Sequence, residues 1–184
     1  MIYHMVHDIL WSFKTVFSSF DLLQGGRWSE KITFLRKVSS LKEVNTIKYC
    51  KSSLIAAGRA KVFLGLYKNE HAVAIKRIES DVVQCDELAI FRLLSDKSVP
   101  ALDNVLPQIH VEEDDDFTYL ITPLCEGNVC ELIEKKFSSD LPITDLTTVK
   151  CLSLCKDFLT GLNELHRIGI IHRDIKPENL LIGE

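Results

Sequence analysis

Residues 61–79, KVFLGLYKNEHAVAIKRIE, set the strongest limit on the fold. Val62, Leu64 and Leu66 alternate with the residues between them, KNEH supplies a turn, and Ala72 to Ile78 continues as a second run. A period of two with a short polar turn predicts an antiparallel hairpin. The next stretch, SDVVQCDELAIFRLLS, changes period. It reads as a helix capped by Ser80 or Asp81, with Val83, Ile90 and Leu94 on its inner stripe. Glu87 falls on that same stripe. A carboxylate on an apolar face needs a cation, because an unpaired buried charge is costly. Lys76, inside the second strand and eleven positions earlier, is the nearest candidate. A lone strand lysine is otherwise a solvated side chain.

A third strand is expected over Phe117–Ile121, after an acidic run, Glu112 to Asp116, that reads as a solvated turn. Pro123 removes one backbone donor, and Thr122, Leu124 and Cys125 form a linker. NVCELIEKK starts a helix with Glu131 and Lys135 in the favourable i,i+4 order. A long helix begins near Thr144 or Asp145 and buries Leu146, Val149, Leu152, Cys155, Leu159, Leu162 and Leu165. Gly169 ends it.

Ahead of the hairpin, Ile2, Met5, Val6, Ile9, Phe13, Val16, Phe17 and Phe20 recur at helical spacing. Such a helix either docks on a partner or membrane surface, or packs on its own domain, the commoner case. His4, His7, Asp8 and Lys14 interrupt it, so no run approaches the roughly 20 apolar residues of a membrane span. A signal peptide lacks its basic start and small-residue cleavage site. Gly25 and Gly26 break the pattern, and a second helix is expected from Ser29 to about Val44, with Ile32, Leu35, Val38 and Leu41 inward.

With net charge −4 over 184 residues, nothing suggests a nucleic-acid surface. Six cysteines show no CxxC pair and no alternation with histidine, which disfavours zinc. Cys151 and Cys155, at i,i+4, read as packing residues. Reduced thiols fit a cytosolic or nuclear compartment.

The chain closes on IIHRDIKPENLLIGE, a cluster of polar groups between two apolar runs. HRDIKPEN matches the H-R-D-x-K-P-x-N catalytic loop of protein kinases, and AVAIK matches their lysine-bearing strand. The resemblance covers about residues 50–184 and includes Lys76, Glu87 and the linker in the kinase order. It implies an α+β, protein-kinase-like fold. A small β-rich N-lobe (49–122) would follow a helical extension (1–48) and precede the hinge, first helices and catalytic loop of an incomplete helical C-lobe (123–184).

The same resemblance assigns roles. Asp174 would accept the proton of the attacking hydroxyl, Lys176 would steady the transferred phosphate, and Asn179 would hold Mg2+. Lys76 would grip the α- and β-phosphates of ATP, held by Glu87. His172 would pack beneath the loop, and Arg173 would meet an activation-loop phosphate. Val62 and Ala74 would cover the adenine, with Leu181 as its floor. Backbone groups of the Pro123–Leu124–Cys125 linker would read its edge behind Thr122, the gatekeeper. Lys176 is the pattern of Ser/Thr-directed members, so the partner is a protein hydroxyl.

AVAIKRI, DELAIFRLLSD, FTYLITPLCEGNVCELIEKK and GLNELHRIGIIHRDIKPENLLI together resemble the inositol-requiring kinase/endoribonucleases of the unfolded-protein response. That likeness implies self-association, trans-phosphorylation and a place in the cytoplasm, at the cytosolic face of the endoplasmic reticulum where a membrane anchor is present. No ribonuclease role falls on these residues.

Two departures qualify the match. The phosphate loop reads IAAGRAKV, with Ala57 and Ala60 around Gly58 where G-x-G-x-x-G is expected. Glycine lets backbone amides approach phosphate closely, so the methyl groups are expected to weaken the cradle. The sequence also reaches Glu184 before any D-F-G or activation segment. These 184 residues alone are therefore expected to be inefficient as a kinase. The alternative is a truncated regulatory or pseudokinase-like module that binds nucleotide or partners without catalysis.

Overall fold

The computed structural model describes residues 4–5, 13–16, 27–58, 60–80, 85–96, 99–134 and 148–183. In chain order these form β1 (His4–Met5), β2 (Phe13–Val16), α1 (Ser29–Lys37), β3 (Lys42–Val44), β4 (Ile47–Ala57), β5 (Lys61–Tyr67), β6 (His71–Glu79) and α2 (Cys85–Ser95). They continue with β7 (His110–Glu113), β8 (Phe117–Pro123), β9 (Gly127–Asn128), α3 (Val129–Ile133), α4 (Thr148–Arg167), β10 (Ile170–Ile171), a 3-10 turn at Pro177–Asn179 and β11 (Leu180–Gly183). Residues 28–100 and 107–124 make one compact unit; residues 1–27, 101–106 and 125–184 make the other. The chain passes between them at 27/28, 100/101, 106/107 and 124/125.

The first unit is a six-stranded antiparallel sheet in the order β3-β4-β5-β6-β8-β7. The predicted hairpin is its centre, turning through Lys68 and Asn69 at positive φ (52° and 63°). Alternation along its strands places Phe63, Val73, Ile75, Tyr119 and Ile121 on one face, with Ile47 and Tyr49 of β4. The simple period of two does not hold for β5, where Phe63 to Leu66 are all buried. The reason is α1. It lays Leu35 on the opposite face against Leu64, joined by Trp28 and flanked by Ile32 and Leu41. Residues 28–48 thus belong to the sheet unit rather than to a separate extension.

Three sequence expectations change here. The helix from Ser29 stops at Lys37, where Val38 turns extended (φ −77°, ψ 131°), and Lys42–Val44 is a strand, not a last helical turn. The expected N-terminal helix is contradicted at its described positions: His4–Met5 and Phe13–Val16 are strands. The FKTV stretch carries a β-branched pair and an aromatic, which suit a pleated surface. The remainder of residues 1–26 lies outside the described residues. The acidic run is the third change. Glu112 sits in β7, 7% exposed. It accepts hydrogen bonds from Asn45 Nδ2 (2.8 Å), Thr46 N (3.3 Å) and Thr46 Oγ1.

Asp114, next along, accepts from Lys42 Nζ (2.9 Å), Tyr119 Oη (2.7 Å) and the amides of Phe117 (2.8 Å) and Asp116 (3.1 Å). Burial pushes this carboxyl upward, but those donors outweigh it and hold Asp114 well below the ordinary carboxylate range. A depressed native value means that the stabilisation is complete above the unfolded value of about 3.9 and is lost as pH falls below it. Thermal melts from pH 6 down to pH 2 are therefore expected to show a Tm decline that Asp114→Asn makes shallower. An equal slope in both proteins would show that Asp114 is not a source of acid sensitivity.

In the second unit, α4 ends at Arg167 and Gly169 adopts φ 83°, as its position after the last helical residue predicts. Its buried side matches the predicted one at Leu165, with Leu162 half-buried, and differs elsewhere. Leu154, Gly161 and Leu165 face inward, whereas Leu152 and Leu159 are 63% and 59% exposed, and Cys151 and Cys155 are exposed too. Apolar residues occur all round this stretch, so spacing alone does not select a face. Packing of Leu154 with Leu132 of α3 and Ile182 of β11 does. Leu146 and the helix start lie outside the described residues.

Candidate active site

On the sheet, register does the positioning. Val62 pairs with Lys76, and Lys76 with Leu120; one row along, Ala74 pairs with Thr122. Directly opposed residues in antiparallel strands point to the same face. Val62, Lys76, Ala74 and Thr122 therefore share one face, opposite the Ile75 core. Lys76 is half-buried there. Pro123 closes β8 against Val73, and Leu124 packs with the Leu64 cluster. Glu87 lies on α2, but its side chain is outside the described residues, as are Asp81 and Val83. Ser80 lies in a turn, its amide on the Asp116 carbonyl (2.9 Å).

The glycine-poor loop is a tight connection. Ala57 pairs with Lys61, and the Gly58 amide donates to the Ala60 carbonyl (3.1 Å). A Cβ built on Gly58 meets nothing within 4 Å. Ala57 and Gly58 are exposed, so methyl groups here cost the fold nothing in space and act only on whatever approaches the backbone. ATP titration of Ala57→Gly/Ala60→Gly is expected to give a lower Kd than wild type. Equal constants would mean that the methyl groups do not obstruct the phosphates.

The second unit builds the catalytic loop. β10 delivers the chain to His172, which is 1% exposed and whose Nδ1 accepts the Asp174 amide (3.2 Å). The His172 carbonyl accepts the same amide (2.9 Å), and Arg173 between them takes φ 62°, a left-handed conformation rare for a long side chain. This kink presents Asp174. Asn179 is 4% exposed, and its Nδ2 donates to the Asp174 carbonyl (2.7 Å) and to Asp174 Oδ2 (2.8 Å). Lys176 Nζ reaches that same Oδ2 at 2.8 Å. Leu181 stands in β11, paired with Asn128 and half-buried.

Two consequences follow. Burial pushes the Asp174 carboxyl upward, but the hydrogen bonds from Lys176 and Asn179, with the charge of Lys176, hold it below the ordinary value. The group is ionised at neutral pH. Its Oδ2 is engaged twice, while Oδ1 has no donor among the described residues. Likewise, Asn179 commits Nδ2 and leaves Oδ1, a buried amide oxygen, without a donor among the described residues. An orphaned oxygen of this type suits a hard cation such as Mg2+. No group of three or more His, Cys, Asp or Glu that could hold a metal occurs among the described residues.

Residues 49–184 match the family model described as the protein kinase domain. The chain belongs to the protein kinase family. Its resemblance to serine/threonine kinases of the inositol-requiring kind is matched by relatives. The chain is 28% identical over 161 residues to the probable serine/threonine-protein kinase irlD of Dictyostelium discoideum, covering 77% of this chain. It is 30% identical over 122 residues, 66% of this chain, to the sensor for unfolded proteins in the ER ire1 of Schizosaccharomyces pombe. It is 31% identical over 134 residues, 67% of this chain, to the serine/threonine-protein kinase/endoribonuclease IRE1 of Oryza sativa subsp. japonica. The chain spans 10%, 11% and 15% of those three proteins' lengths. The fold is that of a kinase: the antiparallel sheet of the smaller lobe, and helices with the catalytic loop from the larger one. No described helix is long and apolar enough to cross a membrane.

Sequence reasoning missed the structural support around this kinase loop. Asn128 and Glu131 form a capping box at α3; the expected Glu131–Lys135 pair involves Lys135, which lies outside the described residues. Glu131 instead receives a two-pronged contact from Arg27 (2.9 Å each). The N-x-x-E spacing could have signalled the cap; nothing local could have signalled Arg27, 104 positions away. A cavity of about 630 Å3 lined by Asn45, Arg92, His110 and Glu112, among others, holds none of the residues expected at the site.

Proposed function

We propose that these residues are the Mg·ATP-binding and catalytic-loop part of a kinase that directs the γ-phosphate to a Ser or Thr hydroxyl of a protein, a transfer for which the 184 residues alone are inefficient. The single observation that carries the reading is the Asp174 carboxylate, ionised and pinned through Oδ2, with no donor on Oδ1 among the described residues. A base for an alcohol needs one oxygen held in place and one available to accept the proton. Lys176, already on Asp174, is placed to steady the transferred phosphate. Asn179 would hold the magnesium ion through Oδ1, where the metal supplies charge neutralisation on the phosphates. Lys76, supported by Glu87, would grip the α- and β-phosphates, with Ala57, Gly58 and Ala60 above them. Val62, Ala74 and Leu181 would enclose the adenine, and the Pro123–Leu124–Cys125 backbone would read its edge behind Thr122. The lobes would be residues 49–122 and 123–184, with α1 as an added support of the first.

The relatives named for unfolded-protein sensing and for kinase/endoribonuclease activity support a place in unfolded-protein signalling. The same reading places the chain at the cytosolic face of the endoplasmic reticulum, acting with a second copy of itself.

Nucleotide titration tests the binding half. Lys76→Ala is expected to raise the Kd for Mg·ATP about tenfold or more, since a charged hydrogen bond contributes about 1.5–3 kcal/mol. An unchanged Kd would remove Lys76 from the site.

A further inference from the structure

The two strands earliest in the chain meet the catalytic loop at both of its ends. β1 pairs in parallel with β10, His4 with Ile170 and Met5 with Ile171, so its partner strand ends one residue before His172. β2 pairs in parallel with β11 along four positions, Phe13 with Leu180 through Val16 with Gly183, so its partner begins one residue after Asn179. Between those two pairings lie the eight residues 172–179. Both pairings come from a stretch ahead of residue 49, where the family match begins.

Without β1 and β2, the loop's ends are poorly held. β1 is the sheet neighbour of β10 in its two-stranded sheet. Among the described residues, β11 otherwise pairs only with β9, at Leu181–Asn128 and Ile182–Gly127. A two-stranded, two-residue ladder is marginal in water, so β9 alone holds β11 weakly, and the four-position pairing with β2 makes a three-stranded sheet there; the two-residue β1–β10 ladder is a weaker tie at the other end. Pinning both ends of a short loop removes conformational freedom that a ligand would otherwise have to remove on binding. The Asn179 amide reaches Asp174 and sits directly before β11, so an end that drifts carries Asn179 with it.

We propose that β1 and β2 form an internal strap: chiefly through β2 on β11, with β1 on β10 as a weaker tie, they order the His172–Asn179 loop, and their release loosens that loop. The ordering is read from register alone. Only its effect on nucleotide rests on the function proposed above.

Amide hydrogen exchange on the whole chain tests it. Thr15→Pro removes an amide donor in the middle of β2. It is expected to speed exchange across residues 170–183 at least tenfold, while Thr15→Ala stays within about twofold and the β4–β8 sheet keeps its protection. Unchanged exchange at 170–183 in Thr15→Pro would overturn the strap. The pair Val16→Cys/Gly183→Cys checks the register without weakening the strand. Oxidation is expected to join positions 16 and 183 in one linked peptide pair and slow loop exchange; absence of that link would overturn the proposal. Mg·ATP titration of the same proteins separates the two ideas. Faster exchange in Thr15→Pro with weaker ATP affinity than wild type supports both. Faster exchange with no ATP binding by any of them leaves the strap standing and counts against the nucleotide reading.

Discussion

In a protein that carries these residues together with a D-F-G and activation segment, Asp174→Asn is expected to lower transfer of phosphate from Mg·ATP to a Ser/Thr peptide by about 10²–10⁴-fold, the usual contribution of a positioned general base. The amide is nearly the same size, so Asn179 and Lys176 keep their surroundings, but it has no lone-pair oxygen of comparable basicity. Lys176 would also lose the charge it faces at 2.8 Å. ATP affinity is expected to move little, because Asp174 is assigned to the hydroxyl and not to the nucleotide. A fall in kcat with a nearly constant Kd for ATP is therefore the signature. Activity that persists in the variant would refute the assignment of the base. A parallel loss of ATP affinity would instead mark Asp174 as part of the phosphate site.

Gly65→Ala carries the largest expected effect on stability. Gly65 lies in the middle of β5 between Tyr49 and Val73. A Cβ there would overlap Ile75 Cδ1 and stand 2.8 Å from the Lys48 carbonyl oxygen. Replacing glycine with alanine ordinarily gains about 0.4–1 kcal/mol by restricting the unfolded chain. Overpacking of a filled core costs about 1–3 kcal/mol, which outweighs that gain and sets the sign. The Ile75 contact can be relieved, since its terminal methyl can rotate away; the Lys48 carbonyl is backbone in β4 and cannot. Gly65→Ala is thus expected to lower Tm by several degrees, and Gly65→Ala/Ile75→Val to recover part of the loss. A variant as stable as wild type would mean that β4 and β5 can part without cost.

The two positions show how unevenly the sequence spoke. The hairpin was legible because Val62–Leu66 and Ala72–Ile78 repeat locally, and the turn between them needs only four residues. The catalytic loop was legible because its chemistry demands fixed residue types at fixed spacing. Asn179 and Lys176 both meet Asp174 there, which supports the roles proposed for them.

Long-range pairing was not legible. Glu112 looked like one acid in a run of five, and only its meeting with Asn45 and Thr46, 67 and 66 positions earlier, explains why it is buried. β2 carried an apolar spacing that suited a helix, and its register with β11 across the chain selected a strand. The buried side of α4 failed for a related reason. Apolar residues surround it, and the choice falls to its neighbours, Leu132 and Ile182.

Central to the proposed function is one nucleotide served by a lysine from each part of the chain: Lys76 on the sheet and Lys176 beside Asp174. An acyl-phosphate derivative of ATP, which acylates amines lying next to its phosphates, tests this most directly when the modified peptides are read by mass spectrometry. Acylation of Lys76 and Lys176, suppressed at the same concentration of Mg·ATP, is the predicted result. Acylation confined to other lysines, or insensitive to ATP at these two, would contradict it.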